Sequence, residues 1–543
     1  MSAIDTKLVD EKASPSSPAN GAGIVHDLDN LTALGYAPKL RRNRSLFTLL
    51  FQSLAIAAIP YGEGGPLISA IYGGGQLSIF VGWLVVLVLD ECIALSLSEL
   101  ASRYPTSAGP YYWSFQIAKK NKTVLSFITG WVWLIGNWTI TLSVNFGFAS
   151  LISATVAIYH PDFAANSWQL LLIFYAICLV TFVICTFGNS FLPMVDTICA
   201  AWTAISILVI LVALSIKADV GRHSASYALG HYDTSFSGWE GFTFFIGLLP
   251  AAYTFSAIGM ISSMAEEVAD PALKVPKALS LCVPVGGIAG LFFIIPICVT
   301  MPPLEDILSA PSGQALPYIF HIVMGTPGGG LGLTFLVLGI TMFCSISITV
   351  AASRCTWAFA RDDAIPGAKL FAVVNEKLGV PVWALVLTTV VQMLLGLINL
   401  GSSSAFTAFV SVGVIALAVS YAIPIAISLL WNKRYEVSRA RWNCGPVVGP
   451  IVNVAALVWI TFEMVLFSMP TALPVTSITM NYASVVFVGF LAISAVWYFV
   501  YARRGTFLKY TSHTELADEI VQCTKAHPHL TAYNRLRTKR LGI

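Results

Sequence analysis

The amino-acid sequence predicts an all-α polytopic membrane protein with about twelve transmembrane helices. Of the 543 residues, 57% are hydrophobic and 10% are charged, whereas roughly 25% of the residues in a soluble domain are charged. Apolar runs recur along most of the chain, and each approaches the ~20 residues that a helix needs to cross a bilayer. Because so few charges could not cover a water-facing surface, the lipid bilayer is the expected surrounding of this chain.

The candidate spans are apolar runs bounded by charged residues, glycine or proline. The third and eighth runs are longer than a minimal span, so they predict tilted helices or helices that continue beyond the membrane. The transmembrane domain is predicted over residues 45–503, between a polar N-terminal tail of residues 1–44 and a C-terminal tail of residues 504–543. In chain order the candidate spans cover residues 46–72, 76–98, 124–156, 168–187, 193–216, 241–262, 279–300, 329–353, 381–399, 405–430, 447–468 and 482–502.

The basic residues are distributed unevenly between the two sides of the membrane that this segmentation defines. We number the loops from the one between spans one and two. All but two of the 30 Lys and Arg residues fall in the two tails and the even-numbered loops, and the odd-numbered loops contain only Lys217 and Arg222. Cytoplasmic loops of membrane proteins accumulate Lys and Arg. Both termini are therefore predicted to be cytoplasmic, with the plasma membrane as the expected location and a vacuolar or other endomembrane as the alternative.

The remaining composition argues against several other classes of protein. The ten cysteines form no Cys-x-x-Cys pair and the eight histidines are dispersed, so no metal site and no cofactor are predicted. A net charge of +3 is too small to indicate a nucleic-acid partner. The spans contain no Ser-His or His-metal arrangement suited to catalysis, and the chain is not predicted to be an enzyme.

The middle of the first span contains a concentration of helix-breaking residues, from Pro60 to Pro66. Proline and glycine interrupt a helical backbone, and a bilayer tolerates such a break only beside a cavity or where protein satisfies the freed N–H and C=O groups. The helix ends at a break can hold a carboxylate or a cation. A proline kink that only shapes packing is the alternative. The predicted binding residues of this span are Tyr61, Gly62, Glu63, Gly64 and Gly65.

Glu63 is the charged residue of this break, and three roles are open for it. It could be an anion that faces a substrate ammonium group, or a carboxyl that takes up a proton because burial disfavours its charged form. It could also lie in water at the mouth of a cavity. Glu91 and Glu463, inside spans two and eleven, are further proton-coupling candidates, although neutral, hydrogen-bonded carboxyl groups fit the same positions.

The sixth span is the second candidate for an interruption, because Pro250, Ser256 and Gly259 lie within it. Two discontinuous spans in corresponding positions of two halves are typical of transporters built from inverted repeats. Aromatic ring faces attract quaternary ammonium groups. Tyr253 and Phe255, together with Ser256, therefore join the predicted binding residues.

Three separated motifs resemble transporters of the amino acid-polyamine-organocation superfamily. Residues 98–113 are similar to the loop after the second helix, residues 265–278 to the segment after the sixth, and residues 352–366 to the end of the eighth. The similarity extends over roughly residues 45–505. It is strongest to the fungal amino acid/choline transporter family, whose members carry choline, 4-aminobutyrate and related nitrogen compounds.

This resemblance implies a fold of five plus five helices in an inverted repeat, with two accessory helices, and a substrate held between broken helices one and six. The charged residues of the motifs lie at predicted cytoplasmic helix ends, where they would form a gate whose ion pairs change as the halves move. Ordinary surface salt bridges, worth ~0–1 kcal/mol each, are the alternative. The gate candidates are Glu99, Arg103, Glu266, Glu267, Arg354, Arg361 and Asp362.

The resulting functional prediction is a secondary active permease that moves a small nitrogenous solute by alternating access. The resemblance to fungal permeases implies symport driven by a proton gradient. Choline, 4-aminobutyrate, or another amino acid or amine is the expected cargo, and Glu63 favours a solute with a cationic group. The alternatives are export of a basic, alkaloid-type natural product and a transport-silent nutrient receptor. The expected partners are the solute and the lipid bilayer, and the oligomeric state is left open.

Overall fold

The computed structural model describes residues 31–500, except for residues 32, 33, 35, 37, 38, 41, 311, 312, 402–404, 432 and 477–479 and the side chains of residues 405 and 406. The predicted C-terminal tail and most of the predicted N-terminal tail lie outside the described residues. Within the described part, the regular structure is helical and two isolated bridges are the only paired extended residues.

Twelve helices of the described chain are long and apolar enough to cross a membrane, which confirms the predicted number. Spans two, six, seven and eight are longer than predicted at the ends that carry the three motifs, because the charged residues there continue the helices. In chain order spans one to twelve are Leu46–Gly64, Gln76–Arg103, Lys122–Ala157, Ser167–Phe187, Asn189–Lys217, Glu240–Glu267, Pro271–Val299, Pro327–Arg361, Val382–Leu400, Thr407–Leu430, Val448–Leu466 and Ala483–Val500.

Short helices extend or connect these spans. After Gly64 the chain turns and continues span one as a separate short helix, Leu67–Tyr72. The helix Ala315–Met324 packs beside span eight. The further short helices are Pro110–Ile117, Ala225–Gly230, Leu304–Leu308, Ala368–Phe371 and Arg434–Val437.

Glycines allow the central helices to approach one another closely. Spans three and ten form one of the two most extensive helix pairs, and spans two and seven form the other. A Cβ atom at Gly136 would lie 2.8 Å from Leu417 Cδ2, and a Cβ atom at Gly413 would lie 2.9 Å from Ile140 Cδ1. Small residues at helix contacts are the usual solution in a bilayer, where packing rather than the hydrophobic effect holds helices together.

Burial separates the central spans from the peripheral ones. In span six, 83% of the most apolar segment is buried within the protein, against 11% in span twelve. The outer faces of peripheral spans expose large apolar side chains such as Phe187, Ile216 and Val488. A soluble protein would rarely expose such surfaces, so lipid is their expected surrounding and span twelve has the place of an accessory helix.

Candidate functional site

Span one is interrupted, but the break begins earlier than predicted. The helix Leu46–Ala57 ends at Ala58, whose φ of 44° and ψ of 50° are left-handed, and a second helix covers Ile59–Gly64. The predicted unwinding from Pro60 onward was therefore wrong for these residues. Pro60 is tolerated because it lies in the first turn of the second helix, where its missing N–H would have no helical partner. A second interruption follows at Gly65 and Pro66.

The break leaves backbone carbonyl groups that the helix does not use. Pro60 has no N–H to donate to the carbonyl oxygen of Ile56, and the Cys344 thiol of span eight lies 3.3 Å from that oxygen. The N–H groups of Tyr61 and Gly62 both donate to Ala58, at 2.7 and 2.8 Å. The hydrogen-bond ladder thus restarts at Ala58, and the break faces span eight.

Glycine is required in the second helix of span one because neighbouring atoms leave no space. A Cβ atom at Gly62 would lie 2.7 Å from both the Ala57 oxygen and Thr254 Oγ1 of span six. A Cβ atom at Gly64 would lie 2.7 Å from Leu316 Cδ2. Both glycines therefore bring span one against neighbouring elements in this conformation.

Span six is discontinuous, as predicted. Its helix Thr243–Ile246 stops at Gly247, a second helix covers Leu249–Ser256, and a tighter 3₁₀ helix runs over Ala257–Glu267. Gly247 lies against Gly73, where a Cβ atom would be 2.2 Å from the Gly247 Cα. The two discontinuous spans are therefore in contact at Gly62 and again near Gly73.

Two tyrosines, one from each discontinuous span, meet against span three at the centre of the bundle. The Tyr61 hydroxyl donates to the carbonyl oxygen of Val144 at 3.2 Å, and the Tyr253 hydroxyl lies 2.9 Å from Ser143 Oγ. The two side chains interact with each other, and their exposed fractions are 1% and 5%. This tyrosine pair defines the candidate site, which is closed to solvent in this conformation.

Glu63 does not face the tyrosine pair. Its side chain is buried, with 2% exposed, and interacts electrostatically with Cys298 of span seven. Tyr61 precedes it by two residues, a rotation of about 200° on a helix. Glu63 Oε2 is buried and has no hydrogen-bond partner among the described residues. This carboxyl oxygen therefore remains free to bind a proton or a cationic group.

Phe255 points away from the tyrosine pair, whereas the Ser256 hydroxyl donates a 2.9 Å hydrogen bond to the Tyr253 carbonyl oxygen within the same helix. The Phe255 ring packs on Trp83 of span two with ring centroids 5.4 Å apart. The carbonyl oxygen of Ser256 accepts a 3.0 Å hydrogen bond from the Tyr421 hydroxyl of span ten. Of the binding residues predicted in span six, Tyr253 alone lies with Tyr61.

Two gate candidates, Glu267 and Arg354, assemble near the start of span one, together with Arg44 and Asp196, which the sequence had not indicated as gate residues. Arg44 donates from Nε to Glu267 at 3.1 Å and from Nη1 to Asp196 of span five at 3.0 Å. Arg354 donates to the other oxygen of Glu267 at 2.9 Å and to Asn189 at 2.8 Å. We call Arg44, Asp196, Glu267 and Arg354 the buried ion cluster.

Beside this cluster, Glu266 and Arg361 form a second ion pair. Both Arg361 Nη atoms lie 3.0 Å from oxygens of Glu266. Asp362 accepts hydrogen bonds from Tyr111 at 2.8 Å and from Tyr36 at 3.1 Å. Burial raises the pKa of Asp362 to about 6, against the opposing effects of Arg361 and the two tyrosine hydroxyls.

Two gate candidates lie apart from the buried ion cluster. Glu99 pairs with Arg434 in the loop between spans ten and eleven, and it accepts a 2.9 Å hydrogen bond from the Cys444 N–H. The Arg103 guanidinium lies over the Tyr104 ring at 5.2 Å. Arg44 could not have been selected from the sequence, because it is one of several basic residues before span one and its partners are distant in the chain.

The comparisons with known proteins agree with this architecture. A family model described as amino acid permease matches residues 45–491. An uncharacterized amino-acid permease of Schizosaccharomyces pombe is 31% identical over 89% of this chain and 89% of its own length. A choline transporter of Saccharomyces cerevisiae is 29% identical over 84% of this chain and 81% of its own length. A polyamine transporter of the same yeast is 29% identical over 83% of this chain and 73% of its own length. The chain therefore belongs to the amino acid permease family of the amino acid-polyamine-organocation superfamily, and it is a membrane transporter of nitrogenous solutes.

Proposed function

We propose that this protein takes up a small solute with a cationic amine by alternating access, coupled to the entry of protons. The observation that carries the proposal is the meeting of two discontinuous helices around the buried Tyr61 and Tyr253. The relatives named choline transporter and polyamine transporter support a cationic cargo. The proposed orientation has both termini in the cytoplasm, and the proposed location is the plasma membrane.

The chemistry near the tyrosine pair suits an ammonium group. The carbonyl of Ile56 has no helical donor and, among the described residues, accepts only from the Cys344 thiol. This carbonyl, the Tyr253 hydroxyl and Ser143 Oγ are oxygens that can accept hydrogen bonds from such a group. The faces of aromatic rings add attraction for a cation, including a quaternary one that cannot donate. We propose Tyr61, Gly62, Gly65 and Tyr253 as the residues around the bound solute.

Glu63 keeps a proposed role in attracting the cationic group. Cys298, with which Glu63 interacts electrostatically, lies next to the last residue of span seven. The motif of residues 265–278 lies at the opposite end of that span. In the proposed orientation the end with Cys298 is in the non-cytoplasmic half of the pathway. Glu63→Gln is expected to impair uptake of a cationic solute more than uptake of a zwitterion, at normal surface expression, because the amide removes the negative charge. Equal effects on both solutes would contradict this role.

The buried ion cluster is the proposed cytoplasmic gate. Arg44 leads into span one and pairs with Asp196 of span five and Glu267 of span six, and Glu267 also pairs with Arg354 of span eight. The ion pairs hold these helix ends together, so a path to the cytoplasm requires that they separate. In the proposed cycle they separate when the solute is released and form again before the next solute binds.

Uptake measurements test the proposed function. Cells that express the protein are given radiolabelled choline, spermidine, 4-aminobutyrate or a mixture of amino acids, with and without a protonophore. The expected result is saturable uptake of one cationic solute that the protonophore abolishes. Purified protein in proteoliposomes then separates the two components of the driving force, because a potassium diffusion potential clamps the voltage while pH is varied.

Two outcomes would contradict the proposal in different ways. Saturable uptake that ignores the pH difference at clamped voltage would reject proton coupling and leave the transport assignment in place. Absence of uptake of every cationic solute, with the protein confirmed at the cell surface, would reject the substrate class.

A further inference from the structure

A small cavity between spans two, six, ten and eleven contains two buried carboxyl groups. Asp90 of span two and Glu463 of span eleven both line it, and their exposed fractions are 4% and 3%. The space is on the order of a single water molecule. The other lining residues are Ile93, Phe255, Ser256, Ile258, Val414, Ala418 and Tyr421.

The hydrogen bonds of Asp90 are incomplete. Its Oδ1 accepts a 2.8 Å hydrogen bond from the Trp459 indole N–H of span eleven. Its Oδ2 is fully buried and has no partner among the described residues. A buried polar atom without a partner is costly and is therefore rare. If the Glu463 carboxyl carried a proton, it could donate a hydrogen bond across the cavity to Asp90 Oδ2 and satisfy that oxygen.

The described residues that line the cavity offer no positive charge to balance two carboxylates. None of the residues that line the cavity is Lys, Arg or His. The other titratable groups that interact with Asp90 are Tyr421 of span ten and Cys92 of span two, whereas Glu91 interacts with Cys282 of span seven. The Tyr421 hydroxyl donates to the Ser256 carbonyl instead. Two carboxylates that line one small cavity repel each other, and a proton held by the pair would remove this repulsion.

The cavity lies against the part of span six where its helix changes type. Ser256 is the last residue of the helix Leu249–Ser256, and Ile258 belongs to the 3₁₀ helix that follows. Both line the cavity, while Tyr253, one turn earlier, lies in the tyrosine pair. A change of charge in the cavity therefore acts on the same helix that contacts the proposed solute.

We propose that Asp90 and Glu463 together bind the proton that this transporter carries, an inference that rests on the proposed proton-coupled uptake. The pair takes a proton from a water molecule that reaches the cavity on one side of the membrane. It returns the proton to water on the other side after the helices rearrange, and no covalent bond other than O–H forms or breaks. The pair is separate from the tyrosine pair, so proton and solute occupy different sites that both contact span six.

Infrared spectroscopy of the purified protein tests the protonated pair directly. The wild-type protein is expected to show the C=O band of a protonated carboxyl at neutral pH, shifted in D₂O, and Glu463→Gln is expected to lose that band. Asp90→Asn should lose it as well, while its side-chain oxygen still accepts from Trp459. If both variants keep every protonated-carboxyl band of the wild-type protein, the pair holds no proton and the proposal is wrong.

Transport in proteoliposomes tests the coupling. One proton per solute allows about tenfold accumulation for each unit of pH difference. Asp90→Asn and Glu463→Gln are expected to lose this accumulation but to retain exchange of internal for external solute, which needs no gradient. Glu305→Gln, the same change at an exposed carboxyl after span seven, is the matched control and should keep the accumulation.

The outcomes distinguish failure of proton coupling in general from failure of this pair. If transport by the wild-type protein does not depend on the pH difference, proton coupling as a whole is rejected. If accumulation driven by the pH difference survives in both variants, only the assignment of the proton to this pair is rejected. Accumulation driven by sodium and lost in both variants would reassign the pair to a metal cation. Trp459→Phe is a milder variant that keeps both carboxyl groups. Loss of the indole N–H that bonds Asp90 should move the pH dependence of transport to higher pH. An unchanged pH dependence would contradict the role of the pair.

Discussion

At the scale of single residues, space rather than backbone torsion explains why glycine occupies the second helix of span one. Gly62 and Gly64 have ordinary helical positions, but each faces an atom too close for a Cβ. The neighbours differ in kind. Gly62 faces backbone as well as the Thr254 side chain, whereas Gly64 faces only the flexible side chain of Leu316.

This difference predicts that Gly62→Ala is more harmful than Gly64→Ala. The clash at position 64 should cost about 1–3 kcal/mol, and Leu316→Ala should relieve it, because the side chain that blocks the new methyl group is then gone. No single change can relieve the clash of Gly62→Ala with the backbone oxygen of Ala57. Thermal unfolding and solute uptake of the two single variants and of the Gly64→Ala/Leu316→Ala double variant check this. Equal loss in both single variants would contradict it.

The tyrosine pair predicts a change in affinity without a change in fold. Tyr253→Phe removes the hydroxyl that bonds Ser143 and faces the proposed solute, which should raise KM about two- to tenfold, the value of one hydrogen bond. The maximal rate should change less. Tyr175→Phe is the matched control, since its hydroxyl bonds the Met393 carbonyl at 2.9 Å in a peripheral contact. A larger effect on KM in the control than in Tyr253→Phe would argue against this site.

At the scale of the helices, the sequence predicted what depends on composition and local chain chemistry. The twelve spans follow from apolar runs, and the discontinuity of spans one and six follows from their prolines and glycines. The position of the break at Ala58 did not follow, because alanine has no preference for a left-handed conformation and tertiary contacts impose it. The burial of Arg44 beside Asp196 was also missed, since these contacts join distant parts of the chain.

The buried ion cluster predicts which arginine controls access from the cytoplasm. Arg44→Ala leaves Asp196 and Glu267 without this partner, and breaking a buried pair in this way costs about 3–5 kcal/mol. The cytoplasmic end should then open more often. A cysteine introduced at Ser347, which donates to Asp196 at 2.9 Å, should react faster with an impermeant maleimide in inside-out vesicles, in a background where other reactive cysteines are replaced.

Arg434→Ala is the control for this experiment, because it breaks the Glu99 pair outside the cluster. Labelling of the cysteine at position 347 should stay at the wild-type rate in this variant. If both arginine variants accelerate labelling equally, the effect is general loosening, and the cluster has no specific role as a gate.

At the scale of the whole molecule, Asp362 joins three parts of the chain that are distant in sequence. It follows span eight and accepts from Tyr36 before span one and from Tyr111 after span two. Arg361 reinforces the junction, since its guanidinium lies 3.9 Å from the centroid of the Tyr36 ring. The segment before span one is therefore held in place by a carboxyl group whose pKa burial raises to about 6.

This junction predicts a pH dependence of stability with a definite sign. Burial raises the pKa of Asp362 to about 6, above the ~3.9 expected for an unfolded chain, so the folded protein binds the proton more tightly. The resulting stabilisation is complete below about pH 4 and is lost as pH rises through 6, a change of about 3 kcal/mol over the full range.

Asp362→Asn keeps an oxygen for both tyrosine hydroxyls but does not titrate. The melting temperature of the wild-type protein in detergent should therefore fall relative to that of the variant between pH 4.5 and 7.5. A constant difference, or one that grows in favour of the wild-type protein as pH rises, would mean that Asp362 is already ionised across this range and that the junction does not respond to pH.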